Sequence, residues 1–97
     1  MNVHFNKGDY IFRQHDSGDC AYLIEKGRVQ ILITKQNTEV PLSIIGDSEI
    51  FGEMALLDNL NRSASAQALD DCTLIVVSKD QLLDRVHSAD TIVRLLV

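Results

Sequence analysis

Ile50-Phe51-Gly52-Glu53-Met54-Ala55-Leu56-Leu57-Asp58-Asn59-Leu60-Asn61-Arg62-Ser63-Ala64-Ser65-Ala66 is the stretch on which the reading of this chain turns. Gly52 lets the backbone bend sharply and approach a ligand closely, because no Cβ stands in the way. Glu53 to Leu57 then reads as a short helix of good formers, ended by the turn-prone Asp58-Asn59. The start of such a helix points unpaired N–H groups and the positive end of a dipole outward, which suits an anion. Arg62 adds a permanent charge with a planar fork of donors, and the N–H groups of Ser63 and Ala64 extend it. Glu53 is the exception in this anion-seeking set. A carboxylate facing a phosphate would repel it, so Glu53 suits a neutral hydroxyl such as that of a ribose. A phosphate and a hydroxyl side by side describe a nucleotide.

Outward from this stretch the sequence is punctuated by turns. Val3–Phe5 and Tyr10–Phe12 are short β-prone runs separated by Asn6-Lys7-Gly8-Asp9, and His15-Asp16-Ser17-Gly18-Asp19 precedes a third run. Cys20–Glu25 and Arg28–Thr34 flank Lys26-Gly27, which reads as a hairpin turn. Val40–Ile45 carries Pro41, a residue that suits an edge strand. Beyond the central stretch, Ser65–Leu69 and Thr73–Ser78 read as strands, the second buried. From Asp80 the apolar residues Leu82, Leu83, Val86, Ile92, Val93, Leu95 and Leu96 recur at helical spacing, with Ser78, Ser88 and Asp90 as candidate N-caps. The expected fold is therefore mainly β: a small β-roll or jelly-roll sandwich with one short internal helix and C-terminal helices.

Composition narrows the function classes. The chain has 97 residues, 45% hydrophobic and 24% charged, as expected of one globular domain spanning residues 1–97. No apolar run is long enough to cross a bilayer and no signal peptide opens the chain, so the cytoplasm is the default location. The net charge of −5 argues against a nucleic-acid surface, and an anion must be held by a local pocket. Arg62 is the only basic residue between Lys35 and Lys79. Cys20 and Cys72 lie in apolar contexts without metal-ligand spacing, which predicts reduced core cysteines. His4, His15 and His87 are scattered, no His-x-His occurs, and no catalytic triad borders the central stretch. Neither a metal nor a cofactor nor an enzymatic activity is expected.

The run Phe51-Gly52-Glu53-Met54-Ala55-Leu56 with Arg62-Ser63-Ala64 resembles the phosphate-binding cassette of cyclic nucleotide-binding domains, of the catabolite activator and protein kinase regulatory subunit type. The resemblance implies a β-roll and a regulatory domain whose ligand is cAMP or cGMP, with cAMP placed ahead. It implies that Glu53 and the Gly52 backbone hold the ribose hydroxyl. Arg62 and the N–H groups on both sides of the turn would hold the cyclic phosphate. The ligand set read from it is Gly52, Glu53, Met54, Ala55, Arg62, Ser63 and Ala64. Ser63 accompanies guanine in some members and adenine in others. Asn61 stands where a proline is common, and Ser48 where a glycine is common. Leu42, Ile44, Ala64 and Ala66 are candidate base-pocket or core residues, and Met54 and Leu57 candidate anchors of the short helix.

Family members carry a helix before the first strand and a long one after the last, so a fragment or minimal form of a longer protein is expected. Ligand would draw the cassette inward, shift Leu57 or Leu60 and repack the C-terminal helices. The expected partners are the nucleotide and either an effector domain in a longer chain or a second copy met through those helices. Neither nucleic acid nor membrane is expected to bind this segment. The alternative reading is a degenerate cassette that has lost its ligand and serves as a protein-interaction or dimerisation module.

Overall fold

The computed structural model describes residues 1–58 and 60–86. Eight strands occur among them: β1 (Asn2–Phe5), β2 (Tyr10–Phe12), β3 (Ala21–Lys26), β4 (Val29–Lys35), β5 (Thr38–Ile45), β6 (Ile50–Phe51), β7 (Ser65–Ala68) and β8 (Cys72–Val77). Two helices accompany them, α1 (Glu53–Asp58) and α2 (Lys79–Val86). The strands form two four-stranded antiparallel sheets, ordered β1-β8-β3-β6 and β2-β7-β4-β5. This is the expected mainly β, jelly-roll sandwich. Ser88, Asp90 and the apolar residues from Ile92 onward, like His87, lie outside the described residues.

The period of two in a strand explains how one sheet serves two layers. On β3 and β8, Tyr22, Ile24, Cys72 and Leu74 face the second sheet; with Phe51 of β6 they meet Val29, Ala66 and Ala68 of that sheet in the main core. The alternate residues Ala21, Leu23 and Val77 face the other way and pack with Leu56 of α1 and Leu82 of α2. The helices therefore lie on the outside of the β1-β8-β3-β6 sheet. Helix α2 begins with a reciprocal cap: Ser78 Oγ accepts from the Gln81 N–H at 3.2 Å, and Gln81 Oε1 accepts from the Ser78 N–H at 2.9 Å.

The Lys26-Gly27 turn is not a hairpin. β3 pairs with β6 and β8 whereas β4 pairs with β5 and β7, so the turn is a corner between the sheets. An irregularity between Ile24 and Lys26, followed by Gly27 at φ 113°, bends the chain out of the first sheet. A Cβ at Gly27 would stand 2.6 Å from Cys72 Sγ, so the corner is also a close approach. The hairpin is instead β4–β5. Its loop, Gln36-Asn37, has φ of 54° and 64°, and Lys35 faces Thr38 across it. Positive φ at both loop residues matches the right-handed twist of the strands.

β5 is the edge strand, as Pro41 required, and Leu42 is passed over in the register between Ile31↔Ser43 and Leu32↔Pro41. Leu42 and Ile44 are 57% and 56% exposed, so neither packs in the core nor lines a pocket. An edge strand with no layer over its outer face leaves both side chains in solvent. Ser48 occupies the left-handed region at φ 70°, the conformation that a glycine would take without strain. Its N–H donates to the Ile24 carbonyl at 2.8 Å, which holds the turn leading into β6.

Ile24→Ala, a truncation in the fully buried core, is expected to lower unfolding free energy by about 2–5 kcal/mol in urea denaturation. Leu42→Ala and Ile44→Ala on the open face of β5 are expected to change it by no more than about 0.5 kcal/mol each.

Candidate functional site

The Phe51-to-Ala64 segment leaves one sheet and returns to the other, which sets its geometry. β6 pairs with β3, with Phe51 opposite Tyr22. Gly52, at φ 81°, turns the chain from that strand into α1, whose first residue is Glu53. A side chain at Gly52 would meet Arg62 Nη1 at 2.6 Å, so the glycine is required by both its conformation and the space. On the return, the Arg62 N–H donates to the Asp16 carbonyl at 2.7 Å, and the His15 N–H donates to the Arg62 carbonyl at 2.8 Å. With the Ser17–Asn61 bridge, these bonds tie the Arg62 backbone to the loop between β2 and β3.

Arg62 is not a solvated turn residue but is 4% exposed. Its Nη1 donates to the Gly52 carbonyl at 2.7 Å and its Nη2 to the Cys20 carbonyl at 2.6 Å. The guanidinium lies 4.1 Å from the centre of the Phe12 ring. Its Nε is buried without a partner among the described residues. Burying a charge is costly unless its polar atoms are satisfied, and this Nε faces Gly18, where an added Cβ would stand 3.1 Å from it. Glu53 presents the complementary deficit, because its buried Oε2 likewise has no donor.

Gly52, Glu53, Met54, Ala55, Arg62, Ser63 and Ala64 all line one cleft of about 220 Å³. The remaining walls are Phe12, Ile31, Ile45, Ile50 and Phe51. A cleft with apolar walls, one cation and one carboxylate fits a small amphipathic anion. Met54, expected as a core anchor, is 54% exposed at the mouth, because the first turn of α1 points it away from the sheet. Ala66 belongs to the core and not to the cleft. Phe12 and Ile45 were not foreseen as wall residues. Nor was Ile31, and only the pairing of their strands puts these three residues beside the segment.

Cys20, foreseen in a strand, sits just before β3 and is half-buried; its contribution to the site is its carbonyl. Cys72 is a core thiol, and burial is the main cause that pushes its pKa up. Tyr22, stacked 5.4 Å from Phe51 and 6.2 Å from Phe12, has its pKa pushed from the ordinary 10.0 up to about 12. Burial is the largest cause, the Cys20 thiol adds to it, and the Arg62 charge opposes it.

A family model described as "Cyclic nucleotide-binding domain" matches residues 2–88. The chain belongs to this family. The cyclic AMP receptor protein of Thermus thermophilus is 39% identical over 80 residues, covering 81% of this chain and 37% of that protein. A cAMP-dependent protein kinase regulatory subunit of Emericella nidulans is 32% identical over 78 residues, covering 80% of this chain and 18% of that protein. Among solved structures, the cAMP-bound form of the EAL enzyme Bd1971 is 56% identical with a TM-score of 0.85, covering 99% of this chain and 26% of that one. Its cGMP-bound form superposes with a TM-score of 0.87. The chain thus spans well under half the length of the two curated relatives.

Two outcomes test this geometry. A Cβ at Gly18 would stand 2.6 Å from the Ala55 Cβ and 3.1 Å from Arg62 Cζ, wedged between α1 and the arginine. Gly18→Ala is therefore expected to cost about 1–3 kcal/mol of stability by overpacking, read by chemical denaturation. The neutral Tyr22 phenol is favoured by folding, so its contribution is complete below pH 10.0 and is lost as pH rises toward 12. Unfolding free energy is expected to fall over that window, and Tyr22→Phe to fall less steeply than wild type in parallel denaturation series.

Proposed function

We propose that residues 1–97 form one regulatory domain that binds a cyclic nucleotide in the cleft, with cAMP preferred over cGMP. The observation that carries this reading is one cleft lined by both a buried cation, Arg62, and a carboxylate, Glu53, each of which keeps one buried atom without a partner among the described residues, Nε and Oε2. In this reading Arg62 and the N–H groups of Ser63 and Ala64 take the cyclic phosphate, aided by those at the start of α1. Glu53 accepts the ribose hydroxyl, and the Gly52 backbone closes on the sugar. The apolar walls Ile31, Ile45 and Ile50 receive the base. The cAMP preference is supported by the 39% identity to a cyclic AMP receptor protein. The two forms of Bd1971 support a cleft of this shape taking either base.

The relay of binding would run through Leu56 of α1, which shares a buried cluster with Leu82 of α2. Of the two residues expected to couple, Leu60 is 59% exposed, and the side chain of Leu57 lies outside the described residues. Movement of α1 toward bound phosphate changes the packing surface offered to α2, and ligand shifts that equilibrium only by its differential affinity for the two positions. We assign no catalysis to these residues, and the output would be an effector domain in the same chain or a second copy. Among the described residues no helix is long and apolar enough to cross a membrane.

Adding cAMP at about a hundred times its Kd is expected to stabilise the domain by about 2.7 kcal/mol, visible as a rise in Tm. Arg62→Ala is expected to weaken binding about ten- to a hundredfold in calorimetry. Unchanged affinity in that variant rejects the phosphate assignment. A wild-type Tm that millimolar cAMP and cGMP leave unmoved points to the interaction-module reading.

A further inference from the structure

The guanidinium of Arg62 is fixed in its plane by the Gly52 and Cys20 carbonyls and on one face by the Phe12 ring. Phe12 is not an isolated shelf. Its ring centre lies 5.8 Å from that of Phe51 and 6.2 Å from that of Tyr22, and it lines the cleft itself. Its backbone pairs with Ala66 on β7, the strand that follows Ser63 and Ala64. Its Cε2 would stand 3.3 Å from a Cβ at Gly52. Phe12 thus touches the outgoing half of the segment at Phe51-Gly52 and the returning half at Arg62, and its own strand is registered to β7.

We propose that Phe12 is a positioning residue for anion binding, acting through Arg62; this rests on the reading of Arg62 as the phosphate ligand. The donors of a guanidinium radiate in its plane, whereas its attraction to an aromatic ring acts through its face. A phosphate approaching edge-on and a ring stacked beneath therefore do not compete. The negative quadrupole of the ring holds the cation where its plane meets the cleft, so less side-chain freedom is lost when the phosphate arrives. An aliphatic residue at position 12 fills similar space without this attraction.

The test is calorimetric titration of the full chain with cAMP for wild type, Phe12→Leu, Phe12→Tyr, Arg62→Ala and the Phe12→Leu/Arg62→Ala double variant, with Tm followed in parallel. Phe12→Leu is expected to weaken binding by roughly three- to tenfold. Phe12→Tyr keeps the ring face and is expected to bind within about twofold of wild type. In the Arg62→Ala background the leucine substitution is expected to cause no further loss. Pentafluorophenylalanine at position 12, which keeps the shape and inverts the quadrupole, is expected to weaken binding as leucine does, and it covers the case in which Phe12→Leu does not fold. Wild-type affinity in the fluorinated or leucine variant overturns the proposal, as does a leucine effect that persists undiminished without Arg62. An unchanged affinity in Arg62→Ala alone overturns instead the phosphate reading beneath it.

Discussion

A guanidinium held below the surface by two main-chain carbonyls is the constraint on which the rest of this domain depends. A charge taken out of water must be repaid by well-placed acceptors, and Arg62 finds them at Gly52 and Cys20, on different segments. Those two carbonyls meet only if β6 pairs with β3 and the chain then bends sharply at Gly52. The Arg62 backbone is in turn held by His15 and Asp16, in the same loop that supplies the Cys20 carbonyl. Sheet pairing, turn chemistry and the placement of one charge are thus a single requirement.

The same requirement accounts for the small residues around the site. A Cβ at Gly52 would strike Arg62, and one at Gly18 would strike Ala55 and crowd Arg62. The Phe12 ring lies against the cation, and its contacts with Tyr22 and Phe51 join it to the main core. A chain this short has one substantial core, and the cleft is cut into its rim. Helix α1 is the shared wall: Glu53 to Ala55 face the cleft while Leu56 enters the second cluster with Leu82.

Local sequence made much of this legible. Strand runs, the short helix after Gly52 and the capped start at Ser78 follow from periodicity, propensity and capping chemistry, which act within a few residues. The seven residues that the resemblance to a nucleotide cassette marked as ligand contacts all line one cleft. Two kinds of error have one origin. Lys26-Gly27 has the composition of a hairpin turn, but composition does not say whether flanking strands pair with each other or with distant partners. Leu42 and Ile44 have the composition of core, but whether a layer covers β5 depends on the sheet order.

By itself the sequence determined the class of fold, the segment that carries the candidate site and its chemical character: one arginine, one carboxylate, and a backbone free to turn at glycine. These are local properties, and the spacing of residue types suffices to express them. Tertiary structure alone decided that Arg62 is buried instead of solvated and that Phe12 lies under its charge. It also decided that the cysteine which matters contributes a carbonyl and not a thiol. Each of these joins residues from about ten to fifty positions apart. Only strand pairing brings such residues together, and the alternation within a single strand carries no label for its partner.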